Sequence, residues 1–600
     1  MAFETRLTPA MAARWRGAGL WGDETLATVL ARRVGETPDR EALTDGTHRL
    51  TYRELAHGID RMAARLRALG IGVGDVVTIQ LPNWVEFAFV FFALERLGAV
   101  AVTVSVDFRS RELEYIMRFA GSKMLVCCGP FRDFDHVAMA AELKPKLPAL
   151  ECIGVIRGVP RADEPGSGRV SSARSRASSD APCARTPVES PRWPLASLAG
   201  AAGPNMVSLD DVAAGSGPPA GFVPVPMNAD TIMRMAFTSG TTGNPKGVMH
   251  SHNTTLAAAR ILNGDVGLST DDVMMIWLPL GLNWGYLTLI QSILAGAKAV
   301  LLDRFRPGTA LDLIERERVT YIPTAPASLT TILQEPELAG RDLSSLRIVV
   351  SGGASAPVET IRAWRRAVLA TPDLIRGSGQ RGHSISPPGI LLELLGMLET
   401  GYQAYTRATD DPEQVAGSVG RPASHMGLKL VDADGREVAR GEEGDICCDG
   451  PSVHLGYHNN PAANAEAFLP DGWFRSGDLG VIDPDGNLRI VGRLKEMINR
   501  GGKKFFPREI EEILYTHRQV LYAAIVGIPD PRLGERNCLC LVPRPGETPT
   551  LESLVAFLGD SVDTYKLPER LELFTQFPFT PTGKIQRHAL VREVVARMSR

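Results

Sequence analysis

An apolar run, Ile232 to Phe237, opens directly onto Thr238-Ser239-Gly240-Thr241-Thr242-Gly243-Asn244-Pro245-Lys246-Gly247-Val248. Glycines let backbone N–H groups approach a ligand where no Cβ intrudes, and a lysine adds charge, so a strand feeding such a loop suits a polyphosphate. A Walker A loop needs Gly, four residues, then Gly-Lys-Ser/Thr. Here Pro245 precedes Lys246 and Gly247 follows it, which excludes that motif. The plain alternative is a flexible connector. The mixture of threonine, glycine, proline and lysine immediately after a strand favours an ATP phosphate loop.

The surroundings of this loop fit a globular enzyme. Six hundred residues exceed what one core organises, so two or more domains are expected. With 22% charged residues and a net charge of -3, neither nucleic acid nor an anionic membrane is the expected partner. The cysteines fall at Cys127, Cys128, Cys152, Cys183, Cys447, Cys448, Cys538 and Cys540, without a CxxC pair or a Cys/His array, and read as small buried hydrophobes in a reducing compartment. Met1 to Leu20 carries Arg6, Arg14 and Arg16 and no continuous apolar core, so no signal peptide is expected. The apolar run Phe87 to Leu94 is closed by Glu95 and Arg96 and is too short for a transmembrane segment. The expected location is cytoplasmic.

Helix and strand patterns alternate along the chain. Tyr52, Leu55, Ile59, Met62, Leu66 and Leu69 recur at helical spacing, Val76 to Leu81 reads as a strand, Glu86 to Leu97 as a helix and Ala99 to Val104 as a strand. After the loop come a helix at Leu287 to Leu294, a strand at Ala299 to Leu302, a helix at Leu311 to Arg318, and strands at Tyr321-Ile322 and Arg347 to Val350. This alternation favours an α/β fold with parallel strands. Two stretches break the rhythm: the Ser/Arg-rich piece 161–204, expected to be a disordered insertion, and the Gly/Pro-rich piece 372–389, expected to be a loop insertion. Past Gly417 short strands alternate with turns at Asp432 to Gly435, Asp471-Gly472 and Asp483 to Gly486. A helix at Pro507 to Tyr515, a strand at Ala523 to Val526 and a closing helix near Leu590 indicate a small α+β domain.

Four further segments carry chemistry-bearing groups. The strand before Ser351-Gly352-Gly353-Ala354 ends in small residues, leaving room for a flat ligand such as adenine. Asp478 lies between glycines in Gly472 to Gly480, where it could accept both ribose hydroxyls or serve as a turn aspartate. Gly492-Arg493-Leu494-Lys495-Glu496 joins the large region to the small one and could act as a hinge or as plain solvated surface. Thr580-Pro581-Thr582-Gly583-Lys584 places a lysine on a tight turn, which taken alone is ordinary surface.

Together, and in this order, the phosphate loop, Gly352-Gly353-Ala354, Gly396-Met397-Leu398-Glu399, the Asp478 and Arg493 segments and the Lys584 turn resemble the adenylate-forming superfamily of acyl-CoA synthetases, nonribosomal adenylation domains and luciferases. The resemblance runs from about Thr51 to His588 and excludes the two insertions. It implies a large N-terminal AMP-binding domain at 1–495, with α/β sheets and a β-rich subdomain, and a small mobile C-terminal domain at 496–600. It implies ATP, Mg²⁺ and CoA as cofactors and a small carboxylic acid as substrate. The acid would attack the α-phosphate of ATP to give an acyl-adenylate, and a thiol would then displace AMP.

By the same resemblance Thr238, Ser239, Thr241, Thr242 and Lys246, with Gly240 and Gly243, would hold the triphosphate. Glu399 would bind Mg²⁺. Gly352, Gly353, Ala354, Gly396 and Met397 would line the nucleotide site, Asp478 would take the ribose hydroxyls with Arg493 beside it, and Lys584 would bridge the substrate carboxylate and the α-phosphate. The small domain would turn about Lys495, withdrawing Lys584 and presenting Gly501-Gly502 to the thiol. Three positions depart from the family pattern: an aromatic residue is replaced by Leu395, a threonine by Leu398 and a histidine by Leu282. Leu395 offers adenine an apolar face, Leu398 cannot donate a hydrogen bond, and Asn283 and Trp284 stand as acyl-pocket candidates, Trp284 equally as a core residue. The leading expectation is an ATP-dependent carboxylate–CoA ligase. The alternatives are an acyl-AMP ligase that loads a carrier protein and a catalytically weak nucleotide-binding protein.

Overall fold

The computed structural model describes residues 3–157, 205–210, 212, 217, 219, 221–238, 245–354, 357–369, 390–411, 417–580 and 583–598. The two expected insertions, 161–204 and 372–389, lie outside the described residues.

The helical spacing after Thr51 becomes the helix Tyr52–Ala68, which buries Tyr52, Leu55, Ile59, Met62 and Leu66. Its start is fixed by a capping box in which Thr51 and Glu54 satisfy each other's backbone N–H groups. The run that is too short to cross a bilayer lies in the helix Val85–Leu97, whose residues are all buried. A helix apolar all round needs partners on every side. Here one core cluster joins Phe91 and Phe92 of that helix to Ile79 and Ala101 of one sheet and to Met274, Val350 and Leu392 of another. Among the described residues no helix is long and apolar enough to cross a membrane.

Two large sheets form the body of the fold. A seven-stranded sheet runs in the order Met206–Ser208, Cys152–Ile156, Met124–Cys128, Val76–Gln80, Val100–Thr103, Ile232–Phe237, Gly247–Ser251. A nine-stranded sheet runs Arg421–Pro422, Gly401–Tyr405, Ile390–Met397, Ile348–Gly352, Tyr321–Thr324, Val273–Ile276, Lys298–Leu301, Glu41–Thr44, Arg49–Thr51. The expected parallel pairing holds inside both sheets, as between Ile348–Gly352 and Ile390–Met397. It fails toward one edge of each sheet, where Gly247–Ser251 runs antiparallel to Ile232–Phe237 and Gly401–Tyr405 antiparallel to Ile390–Met397, and again at the far edge of the nine-stranded sheet, where Arg49–Thr51 runs antiparallel to Glu41–Thr44. The reason is connection length: strands joined by a short loop return antiparallel, whereas parallel neighbours need a long crossover. Ile232–Phe237 and Gly247–Ser251, the strands on either side of the candidate phosphate loop, therefore pair as the two arms of a hairpin.

Past Gly417 a four-stranded antiparallel sheet is formed by Gly427–Val431, Glu443–Asp449, Phe474–Ile482 and Leu488–Arg493. The expected turns hold Gly435, Gly472 and Gly486 at φ of 81°, 90° and 86°, a region that glycine adopts without steric cost. Asp478 lies inside the strand Phe474–Ile482, which rules out its reading as a turn aspartate. A separate sheet of Lys503–Phe505, Ile498–Arg500, Gly534–Pro543, Val520–Asp530 and Arg570–Leu573 is covered by the helices Pro507–Leu514 and Arg587–Met598. Cys127, Cys128, Cys447, Cys448, Cys538 and Cys540 are buried and free, and Cys152 is partly buried and free.

The N-terminal stretch, read above only as lacking a signal peptide, is also built into the core. Thr8 caps the helix Pro9–Gly17, which buries Trp15 in a cluster with Val102 and Met235. The helix Leu26–Glu36 buries Leu26, Val29 and Leu30, and Glu41–Thr44 joins the nine-stranded sheet.

Candidate active site

The neck of the phosphate loop is closed by two hydrogen bonds. Thr238 N donates to Lys246 O at 3.1 Å, and Lys246 N donates to Thr238 Oγ1 at 3.2 Å. Ser239, Gly240, Thr241, Thr242 and Gly243 lie outside the described residues. Beyond the neck, Lys246 Nζ sits 4.7 Å from the centroid of the Tyr457 ring, close enough for a cation–π attraction. The Tyr457 hydroxyl donates to Glu399 Oε1 at 3.1 Å. Tyr457 thus ties the loop lysine to the carboxylate. Sequence reasoning missed it, because Gly456-Tyr457 carries no charge and no metal-ligand pattern.

Glu399 is half-buried, and burial pushes its carboxyl up, opposed by the Tyr457 hydroxyl and by the nearby Lys246 and Lys584 cations. Its backbone is held as well, because His454 N donates to Glu399 O at 2.7 Å. The missing hydroxyl at Leu398 has a neighbour of a different kind. His250 Nε2 lies 2.8 Å from Leu398 O, and burial drives its imidazole down to about 4, so it is neutral and donates that bond.

The ends of two parallel strands bring Gly352 opposite Leu394. A Cβ at Gly352 would stand 2.6 Å from Leu394 O and 3.0 Å from Trp284 Cη2, so only glycine fits. Gly396 is equally constrained by Gly401 O at 2.5 Å, beside the register shift at Leu395/Gly396. Gly353, at φ 78°, faces Lys584 Cε and Trp284 Cζ3, 3.7 and 3.8 Å from its ideal Cβ position. Trp284 and Asn283 begin the helix Asn283–Ala295, and Asn283 Nδ2 donates to Met397 O at 3.3 Å. Ala354 is exposed beyond the strand end. Leu395 is 8% exposed and packs among Ala404, Val419, Ile446 and Leu488. Strand alternation explains this: Leu395 turns into the β-rich core, so its side chain is not an open apolar face.

Asp478 and Arg493 are cross-strand partners, and Arg493 Nε lies 2.9 Å from Asp478 Oδ1. Asp478 is 4% exposed, and its charge is the main cause of the raised guanidinium pKa of Arg493. Lys584 belongs to a tight turn: Gly583 N donates to Thr580 O at 2.8 Å, and Thr580 N to Lys584 O at 2.7 Å. The turn seats on the large domain at Gly583, whose Cβ would fall 2.8 Å from Ala325 Cβ. Burial and the adjacent Arg493 bring the Lys584 ammonium down to about 8, against the opposing pull of Asp478, Glu399 and Glu496. Lys584, Gly353, Trp284, Glu399, Asp478 and Arg493 therefore share one electrostatic site. Lys495 is exposed in the single turn Leu494–Glu496, and its neighbour Glu496 pairs with Arg587 at 3.1 Å.

Among the described residues one group of three candidate metal ligands occurs elsewhere, at Asp45, His48 and Glu86. The Arg157 guanidinium fills it, with Nη2 2.6 Å from Asp45 and 2.7 Å from Glu86. That cluster is an ion-pair network. Glu399 is a single carboxylate facing two lysines, a donor set that suits a Mg²⁺ whose other ligands are phosphate oxygens and water.

Residues 30–458 match the family model of the AMP-binding enzymes, and residues 509–584 match that of the AMP-binding enzyme C-terminal domain. The chain belongs to the adenylate-forming superfamily of AMP-binding enzymes. It is 34% identical over 594 residues to a 2-hydroxy-7-methoxy-5-methyl-1-naphthoate–CoA ligase of Streptomyces carzinostaticus, covering 98% of this chain and 96% of that protein. It is 30% identical over 592 residues to a medium-chain fatty-acid–CoA ligase of Escherichia coli, covering 98% and 93%. It is 30% identical over 591 residues to a 2,3-dihydroxybenzoate-AMP ligase of Bacillus subtilis, covering 98% and 96%.

Conversion of Tyr457 to phenylalanine removes the hydroxyl that orients Glu399. It should raise the Mg²⁺ concentration needed for half-maximal pyrophosphate exchange by about 10-fold, the lower end for loss of a ligand-orienting hydrogen bond. A Mg²⁺ titration of exchange checks this, and an unshifted midpoint would remove Tyr457 from the site.

Proposed function

We propose that the chain is an ATP-dependent carboxylate–CoA ligase, which activates a carboxylic acid as acyl-AMP with release of pyrophosphate and passes the acyl group to the thiol of CoA. The observation that carries this reading is the seating of Lys584, from the small domain, at Gly353 beside Trp284 in a site that also holds Glu399, Asp478 and Arg493. A nucleotide binder has no need for a cation buried there at a cost to its own pKa. A carboxylate attacking a phosphate brings two anions together, and a positioned ammonium offsets that repulsion as the new bond forms.

Lys246 and the loop hold the pyrophosphate end, and Asp478 accepts from the ribose hydroxyls with Arg493 fixing its orientation. Gly352, Gly353, Ala354, Gly396 and Met397 line the adenosine. Glu399 would hold Mg²⁺, which neutralises phosphate oxygens when bound. For the thiol step the small domain turns about Lys495, removing Lys584 and bringing forward Gly501 and Gly502, which lie in a tight connection at φ 61° and 87°. The two CoA ligases among the relatives support CoA as acceptor. The relative named as an AMP ligase favours a second reading, transfer of the acyl group to a carrier protein.

The test is acid-dependent exchange of labelled pyrophosphate into ATP across aromatic, alicyclic and medium-chain acids, followed by thioester detection with CoA. Exchange with some acid and acyl-CoA as product are expected. Exchange without acyl-CoA would move the assignment to an acyl-AMP ligase, and no exchange with any acid would leave only a nucleotide-binding protein.

A further inference from the structure

The residues from Phe3 to Trp21 lie against the connection that delivers Tyr457 to the site. Arg6 N donates to Leu455 O at 2.9 Å, the Phe3 ring stands 5.4 Å from the His458 ring, Arg14 pairs with Asp449 at 2.6 Å, and Trp21 Nε1 donates to Pro451 O at 2.9 Å. The connection is laid in turn along the strand Gly247–Ser251: Leu455 N donates to Met249 O at 2.9 Å and His458 N to Gly247 O at 2.8 Å. Between them the main chain of Tyr457 is fixed by Asn464, whose Oδ1 accepts from Tyr457 N at 2.7 Å and whose Nδ2 donates to Tyr457 O at 3.1 Å. Those bonds hold only the backbone. The ring still turns about its side-chain torsions, so its neighbours decide where the hydroxyl points.

These neighbours form one line of packed groups. The Arg6 guanidinium carbon lies 3.2 Å from the centroid of the Phe468 ring, a cation–π contact. Phe468 stands 5.2 Å from the His454 ring, and His454 4.7 Å from the Tyr457 ring. Phe474 also meets His454 edge-on at 5.3 Å. His454 is 1% exposed, and among the described residues neither of its ring nitrogens has a hydrogen-bond partner. Burial drives its imidazole well below the usual range, so it is a neutral ring that acts by packing. His454 also reaches Glu399 directly, because its backbone N donates to Glu399 O at 2.7 Å. One residue thus braces the Glu399 main chain and, through the Tyr457 ring, the hydroxyl that donates to the Glu399 carboxylate.

We infer that Arg6 and His454 are positioning residues, which act through Phe468 and the Tyr457 ring to aim the Tyr457 hydroxyl at Glu399 and so set how firmly that carboxylate holds a divalent cation on ATP. The inference rests on the reading above, in which Glu399 binds Mg²⁺. Arg6 stands at the outer, half-buried end of the line, where its charge can be removed without opening the core. It is therefore the sharper probe of the two.

In the experiment each full-length variant is titrated with ATP by calorimetry, once with saturating Mg²⁺ and once with a chelator, and the ratio of the two affinities measures the gain contributed by the metal. Arg6→Met, which keeps the stem and removes the cation, should lower that gain by about 2–5-fold, the worth of one exposed cation–π contact. Arg6→Lys should restore most of it. His454→Ala should lower the gain by about 10-fold, the lower end for loss of an orienting partner, and His454→Phe, which keeps a ring, should stay within about 2-fold of the unaltered protein. In a Tyr457→Phe background the hydroxyl is gone, so Arg6→Met and His454→Ala should each add less than about 2-fold. An unmoved gain in Arg6→Met, or the same loss in both backgrounds, overturns the inference. Equal weakening of ATP binding with and without Mg²⁺ marks general damage and overturns it too. Should His454→Ala fail to fold, Arg6→Met and its cycle with Tyr457→Phe decide. Pyrophosphate exchange separates the two claims: no exchange with any acid, beside a metal gain that falls as stated, overturns only the ligase reading, whereas exchange with the gain unmoved overturns only this inference.

Discussion

Replacing Lys584 with alanine lowers acyl-adenylate formation by about 10²–10³-fold, the range expected when one preorganised stabilising group is removed from a transition state. Conversion of a supplied acyl-adenylate to thioester should stay within a few-fold of wild type, because in the proposed cycle the thiol step follows withdrawal of the lysine. Measuring the two half-reactions separately checks this, and equal losses in both would remove Lys584 from its assigned role. The pH profile carries an independent signature. In the proposed role the ammonium is the active form, and burial with Arg493 brings its pKa down to about 8. Adenylation is therefore fully supported below that value and lost as pH rises through it. The basic limb of kcat/KM for ATP reports the free enzyme and should fall near pH 8. In Lys584→Arg, whose cation persists, that limb should move up by more than one pH unit.

Asp478→Ala should weaken ATP binding by about 10–100-fold, corresponding to about 1.5–3 kcal/mol for hydrogen bonds to a charged acceptor. The same change should move the basic limb. Asp478 raises the Lys584 pKa and is the charge paired with Arg493 at 2.9 Å. Without it Arg493 faces Lys584 uncompensated, so the limb shifts below 8. Calorimetric titration with ATP and the exchange profile give the two numbers. Unchanged affinity would exclude Asp478 from the nucleotide site, and a limb that moved upward would exclude the electrostatic link.

Much of the fold could be read in advance because its patterns are local. The spacing from Tyr52 to Leu66 and the glycine turns at 435, 472 and 486 describe their own surroundings. The edge strands could not be read that way: direction depends on what a loop joins, which the composition of a strand such as Gly247–Ser251 does not state. The helix Pro9–Gly17 escaped notice because only Trp15 is buried among its arginines and alanines. In the site, the motif residues carried visible chemistry in glycine, lysine and carboxylate. Tyr457 did not, since its importance comes from a partner far along the chain, Glu399. Leu395 looked open because a one-residue register decides which face a strand residue shows.

Gly583, next to Lys584, packs closely on the large domain: a Cβ there would fall 2.8 Å from Ala325 Cβ and 3.8 Å from Ala327 Cβ. The reach of Lys584 thus depends on a glycine lying against small side chains at the start of the helix Pro326–Ile332. A larger side chain at any of these three places would push the turn, and the lysine it carries, away from Gly353.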